Sequence, residues 1–467
     1  MISMLRNRSW VVGVLAAAAL IGGPTKCTCC AAPVEGTSSK VALVSRRSAD
    51  SIDRVEILLE VGGELKLAEG QEGTASATQK MNTIAQLAYE EKTVAVAAAA
   101  GQATRAWRYY DRADVDIKVG QAAFAPRLRP SRRLIGVEVA QGKTILFSPH
   151  GTLLRDELDL LDVLGNSLLL EQLLPQGHVA LGDRWEISSE IVAALLGVEQ
   201  VEQSQAQATL ADLTEAAARI ELTGQLRGKT GGQRTAIRWK GRCRYDRSAG
   251  RVDWFALSLH EDRARGVMGP GLDVLATLQV RIAPQEVPEH LTEELLRGLT
   301  AEPSAELLRL SYVPPDGGWQ LEHDRRWMLI SEQGNTAVFR LADSGQYVAQ
   351  CSIVASRAAD AGKGVSLAEF QDEIRQALGK NFGQFIRASQ SPGPRGAFWY
   401  RVEVEGMVAE LPVKWLYAML QENEGRRAVL AFVIEGAMVE RFGQADLELI
   451  AAFRLADPKV ASKPPAP

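Results

Sequence analysis

Arg238, Lys240, Arg242 and Arg244 alternate with Ile237, Trp239, Gly241, Cys243 and Tyr245 in the run from Ala236 to Asp246. A period of two puts the four cations on one face of a strand and the apolar residues on the other. Alternate side chains on a strand stand about 7 Å apart, a spacing that suits a polyanion. Trp254, on the strand that follows, can cover the Arg242 stem and complete a binding face with these cations. The competing reading is ion pairing within the sheet. If the preceding strand registers by its apolar face, Glu221 stands opposite Arg238 and Glu215 opposite Arg244, and the charges are satisfied without any ligand.

Catalytic signatures are absent from the sequence. There is no His-Glu-x-x-His, no Gly-x-Ser-x-Gly and no phosphate loop, and His150, His178, His260, His290 and His323 are scattered. No catalytic residue, metal ligand or cofactor is therefore assigned. Cys27, Cys29 and Cys30 sit in an N-terminal leader, and Cys243 and Cys351 fall in different domains, so both read as small buried side chains. A second cationic cluster, Arg127, Arg129, Arg132 and Arg133, precedes an alternating segment. It reads either as a solvated strand entrance or as an anion or partner site.

The elements that must hold the Arg238 run in place are strands. Glu215 to Arg227 alternates, Gly228 to Gly232 can close a hairpin, and Arg251 to Glu261 offers Phe255, Leu257 and Leu259 to the Ile237 and Trp239 face. The three form an antiparallel meander. Upstream, Val55, Ile57, Leu59, Val61 and Leu65 mark a strand with an irregularity at Gly62-Gly63, and Ile84 to Glu91 marks another. Thr104 to Val119 fits both helical and strand periods. Leu154, Leu158, Leu161 and Leu168 line a helical face with Thr152 as its N-cap, and Ser188 or Ser189 can cap a short helix through Leu196 that Gly197 ends.

A chain of 467 residues is too long for one ordinary core, and 46% hydrophobic with 24% charged residues is globular composition. Arg6 and Arg8, the apolar run Trp10 to Ile21 and a small-residue boundary near Ala31 read as a secretory signal peptide. An uncleaved anchor is the alternative. The formal charge is −4, and cleavage would remove Arg6, Arg8 and Lys26 with no acids, which argues against a nucleic-acid surface.

Downstream of Pro284, Pro288 and Pro303 the pattern restarts. Pro315 to Trp319 reads Pro-x-x-x-Trp, Ser366-Leu367-Ala368-Glu369-Phe370 opens a helix with a capping box, paired strands follow, and Leu447, Ile450 and Phe453 close the region. This stretch, about 305–456, resembles the PsbP-like family. The resemblance implies an antiparallel sheet sandwiched between helices and a scaffold used for interaction more than catalysis. The expected architecture is thus α+β in two domains, an N-terminal antiparallel sheet domain with covering helices and a C-terminal PsbP-like α/β/α sandwich. Its divisions are a signal peptide at 1–31, a flexible tether at 32–51, the sheet-rich domain at 52–283, a linker with a short helix at 284–304, the PsbP-like domain at 305–456 and a disordered tail at 457–467. The expected role is a non-catalytic binding or assembly protein, exported to the periplasm or beyond, whose partner is a protein or small-molecule ligand. A carrier of lipid or another apolar ligand, with the leucine-rich helices at 153–174 over a curved-sheet cavity, is the second reading, and a hydrolase with a dispersed site the third.

Overall fold

The computed structural model describes residues 40–67, 78–97, 102–140, 142–266, 269–343, 345–356, 364–422 and 425–456. The leader, its cleavage boundary, its three cysteines and the tail lie outside the described residues. After the short strand β1 (Val41–Ala42), three long strands alternate buried and exposed positions: β2 (Ile52–Lys66), β3 (Thr78–Ala97) and β4 (Gln102–Val119). The ambiguous Thr104 to Val119 is therefore a strand, paired with β3 along its whole length. Then come β5 (Ala122–Phe124), β6 (Leu134–Ala140), β7 (Lys143–Phe147) and β8 (Leu153–Leu154). Helix α1 (Arg155–Leu161) and a 3-10 turn over Ser167–Leu173 follow, with β9 (His178–Val179), β10 (Arg184–Glu186) and α2 (Ser189–Leu196). Five long strands finish the region: β11 (Gln200–Leu213), β12 (Ala217–Thr230), β13 (Gln233–Asp246), β14 (Arg251–Arg263) and β15 (Gly271–Gln285).

All the longer strands join one antiparallel sheet in the order β10-β11-β12-β13-β14-β15-β2-β3-β4-β6-β7, with β5 on β4. One face of it is apolar. Val55, Leu87, Val115, Ile220, Trp239, Phe255 and Leu278 from successive strands are buried in a single core with Leu158, Leu160, Leu168, Leu170 and Leu173 from α1 and the 3-10 turn, and Val192, Leu195 and Leu196 from α2. Ser188 caps α2 by accepting from the Ile191 N–H, and Gly197 ends it with φ 68°. Thr152 does not cap α1; that helix begins two residues later, where the Glu157 carboxylate accepts from the Leu154 N–H.

Beyond α3 (Glu293–Leu296), β16 (Leu310–Tyr312) runs parallel to β8 and antiparallel to β17 (Trp319–His323). The second large sheet contains β18 (Trp327–Gln333), β19 (Thr336–Asp343) and β20 (Gln346–Ser356), then, after α4 (Leu367–Leu378), β21 (Phe382–Pro392), β22 (Phe398–Val408), β23 (Leu411–Gln421) and β24 (Arg427–Glu435). Its order is β18-β19-β20-β24-β23-β22-β21. Ser366 and Glu369 form the expected capping box, and Phe370 and Ile374 of α4 pack on Tyr400, Val402, Val404 and Trp415. The other face takes α5 (Val439–Phe442) and α6 (Ala445–Ala452), and β25 (Phe453–Leu455) then pairs with β17. The four-strand order β25-β17-β16-β8 is thus one sheet built from both halves of the chain.

Two expectations need correction. The fold is not α+β: among the described residues 59% are strand and 16% helical, so the protein is mostly β and its C-terminal half is not a balanced α/β/α sandwich. The reason is element length. The leucine-rich stretch after residue 153 makes a seven-residue helix and a 3-10 turn, while the strands of the first sheet reach 20 residues. The described part of the expected tether, 40–51, is also no free linker. Val41 pairs with Val179, Leu43, Ser45 and Arg47 are buried, and Tyr245 Oη donates to the Val44 carbonyl at 2.6 Å.

The segment after Pro284 is held as well. Glu90, fully buried, accepts the backbone N–H groups of Glu289 at 3.0 Å, His290 at 2.7 Å and Leu291 at 3.1 Å. His290 stacks on Tyr109 with ring centroids 4.2 Å apart.

Candidate functional site

Strand β13 presents Thr235, Ile237, Trp239, Gly241, Cys243 and Tyr245 to the core and Arg238, Lys240, Arg242 and Arg244, with Arg234 before them, to solvent, as the alternation requires. Its pairing partner differs from the sequence-based register. Glu221 faces Arg242, not Arg238, and Arg244 faces Arg219, not Glu215. The β12–β13 hairpin turns on two residues, Gly231 and Gly232, at φ 55° and 76°, which only glycine adopts freely. That tight turn carries both strands further than the five-residue loop read from the sequence, and the register moves with it.

The register divides the stripe. Arg244 makes a bidentate pair with Asp253, and Arg242 stands 3.5 Å from Glu221. Arg238 and Lys240 have no ion-pair partner among the described residues. Arg238 instead lies between Gln225 and His260, and Lys240 between Thr223 and Ser258. Both line a depression of about 840 Å³ in the polar face, with Gln205, Gln207, Ser258 and His260 on its walls and Leu275, 64% exposed, at one side. These two exposed cations, set among amides and hydroxyls with the Glu186 carboxylate also on the wall, can bind an anion by charge-assisted hydrogen bonds.

Trp254 shares the polar face with the cations of β13. The β13–β14 register, unbroken as far as Arg244, sets it opposite Arg244, with Arg281 on its other side and Arg242, whose direct partner is Ala256, diagonal to it on the same face. It lines a separate depression of about 710 Å³ with Arg54, Glu56, Arg244 and Arg281. The second cationic cluster is mostly spent on the fold. Arg129 makes a bidentate contact with the buried Glu157 at 2.6 Å, Arg132 donates to the Thr152 carbonyl, and Arg127 lies near Asp114 and Asp116.

Sequence reasoning missed a charge cluster buried beneath the sheet. Arg47, Arg108 and Arg251 meet Asp53, Glu91 and Glu171, all nearly or fully inaccessible. Glu91 receives Arg47 Nη1 at 3.1 Å, Arg108 Nε at 2.8 Å and Ser167 Oγ at 2.6 Å. Arg108 also donates to Asn166 at 2.5 Å, Ser45 donates to Glu171 at 2.5 Å, and Arg251 donates to Asp53. Burial pushes the Glu91 carboxyl up, but Arg108 and Arg47 outweigh it and hold it below the usual carboxylate range. For Asp53 burial wins over Arg47 and Arg251, and its pKa is raised. The three cations match the three acids, and the cluster ties residues 45–53 and the 3-10 turn to the sheet. The available signal was Asp53 and Glu91 at alternating, otherwise apolar strand positions.

Catalytic geometry is poor at every histidine the structure places near a carboxylate. His260 Nε2 is 2.9 Å from Asp273 on the sheet surface. His290 pairs with Asp111 at 2.8 Å. His323 is buried, and that burial drives its pKa down to about 4, with Nδ1 on the Asp324 carbonyl. Burial also pushes the Cys243 thiol up to about 12, so it is inert at neutral pH. Among the described residues no group of three or more His, Cys, Asp or Glu is arranged to hold a metal, and no helix is long and apolar enough to cross a membrane.

No family model matches the chain, and no curated protein does. Three solved structures show a weak likeness. A protein from Bacteroides thetaiotaomicron is 13% identical over 32% of this chain with a TM-score of 0.23, and this chain spans about half, 49%, of its length. A cyanobacterial PsbP from Synechocystis is 14% identical over 32% of this chain and 92% of its own, with a TM-score of 0.26. Lipovitellin is 8% identical over 52% of this chain and 26% of its own, with a TM-score of 0.31. None of these scores defines a shared fold, and the PsbP resemblance remains a weak structural one.

Proposed function

We propose that this protein is a non-catalytic binding protein that works outside the cytoplasm, and that it binds at the polar face around Arg238 and Lys240. The observation that carries this reading is the pair of cations left without a partner in the depression, while Arg242 and Arg244 beside them are paired. The charged start and apolar run at Arg6 to Ile21 support export. The apolar-carrier reading has less support, because leucines of α1 and the 3-10 turn fill the space against the apolar face.

The test is an inventory, by mass spectrometry, of what the natively purified protein retains, comparing wild type with the Arg238→Gln, Lys240→Gln double variant. Species held by wild type and lost from the variant, with retention that falls as salt rises, are the expected result. Identical inventories would remove the face from consideration, and turnover of any retained small molecule would overturn the non-catalytic assignment.

A further inference from the structure

The strand registers run a single line of residues across the polar face. Arg238 stands between Gln225 and His260, and Gln205 lies beyond Gln225. On the other side the line passes from His260 to Leu275, Gly62 and Asn82 and ends at Lys118. Eight strands, from β11 to β4, contribute one residue each. Seven steps at about 4.8 Å make this line about 34 Å long.

A trough follows it. The depression of about 840 Å³ shares Arg238, His260 and Leu275 with one of about 640 Å³, which shares Gly63 and Glu64 with a third of about 460 Å³ reaching Lys118 and Gly120. At its middle the floor is bare: a Cβ built on Gly62 would meet nothing within 4 Å.

We propose that the trough binds an acidic polysaccharide, laid across the strands with its carboxylates at Arg238 and Lys240; this rests on the reading of the same face given above. Gln205, Gln225, Asn82, Thr223 and Ser258 each donate and accept, which is what sugar hydroxyls need; the cations take the uronate charge, and Glu186, Glu64 and Asp273, which also line the trough, must face hydroxyls and not carboxylates of the bound sugar. A nucleic acid fits less well. No Phe, Tyr or Trp stands on the line to stack a base. An extended peptide would add to a sheet edge through its backbone, whereas the main-chain groups along this line already bond to neighbouring strands.

The experiment measures binding of labelled oligogalacturonates, from dimer to decamer, to the full chain by fluorescence anisotropy, with maltooligosaccharides, oligoglutamate and polyphosphate as comparators. Affinity is expected to rise with oligomer length until the chain fills about 34 Å, then level off. The Arg238→Gln, Lys240→Gln variant should bind about tenfold more weakly or worse, since two charge-assisted contacts are lost, and Arg242→Gln should change affinity less than about twofold. Gly62→Tyr, which fills the trough midway, should bring the plateau to shorter oligomers. Thermal unfolding of each variant separates loss of binding from loss of fold. Failure of every oligogalacturonate to bind overturns the proposal, as does equal binding of the maltooligosaccharides. If oligoglutamate or polyphosphate binds more tightly and the double variant loses it, the sugar is wrong and the binding face stands. Oligogalacturonate binding untouched in the double variant would overturn both.

Discussion

Arginine is used in opposite ways on the two sides of the large sheet. Beneath it, Arg47, Arg108 and Arg251 are each matched by a carboxylate, and Glu91 alone receives three charge-assisted or hydroxyl contacts. On the outer face Arg238 and Lys240 are left without acids while Arg242 and Arg244 on the same strand are paired. The difference follows from solvent. An unpaired guanidinium in the core carries a desolvation penalty of several kcal/mol, whereas water screens one on the surface at almost no cost. Surface cations can therefore be kept free for something else to satisfy, and buried ones cannot.

Breaking a buried pair should have the largest effect. Glu91→Ala takes away the carboxylate that Arg108 pairs with and the nearest of the three that Arg47 faces, and should cost about 3–5 kcal/mol in urea unfolding; a loss under about 1 kcal/mol would mean that water reaches the cluster. His323 sharpens the point, since it is buried without an acid. Its pKa falls from an ordinary 6.5 to about 4, so its contribution is whole above pH 6.5 and is lost as pH falls toward 4. That loss amounts to about 3 kcal/mol, and His323→Gln should flatten that part of the stability profile. Arg244→Gln, which removes a bidentate but exposed pair, should cost about 0.2–1 kcal/mol. Smallest of all, Arg238→Gln with Lys240→Gln should move stability by no more than about 0.5 kcal/mol. A larger drop would show that these two cations hold the fold, and the contrast between the two faces would fail.

The strand carrying the candidate site could be read from its residues because alternation is a local property. Ile237 to Tyr245 could sit only one way round, and Ser366 with Glu369, or Ser188 with Gly197, announced helix ends in the same local manner. What the sequence did not reveal depends on distant partners. Which residue faces Arg238 was decided by the conformation of Gly231 and Gly232, and the longer loop read from the sequence placed Glu221 opposite Arg238 when it faces Arg242. Arg47 sits in a polar segment that reads as linker, and only Glu91 and Glu171, far along the chain, make it a core residue. The eight-strand line could not be seen at all, because it depends on seven independent registers. The helical content was overread for a related reason: leucines at a helical spacing also suit short turns plugged into a sheet.

The place of β2 in the sheet has a consequence for how the chain is made. This strand is near the start of the described chain, yet it lies in the middle of the sheet, between β3, which follows it, and β15, whose Gly271 pairs with Lys66 and Gln285 with Ile52. Until residue 285 has been synthesised, β2 has an open edge, and β11 to β14 form a second partial sheet with nothing to dock on. Closing a gap of this length is slow, and unfinished edges invite pairing between chains. Refolding from denaturant should therefore give yields that fall steeply with protein concentration.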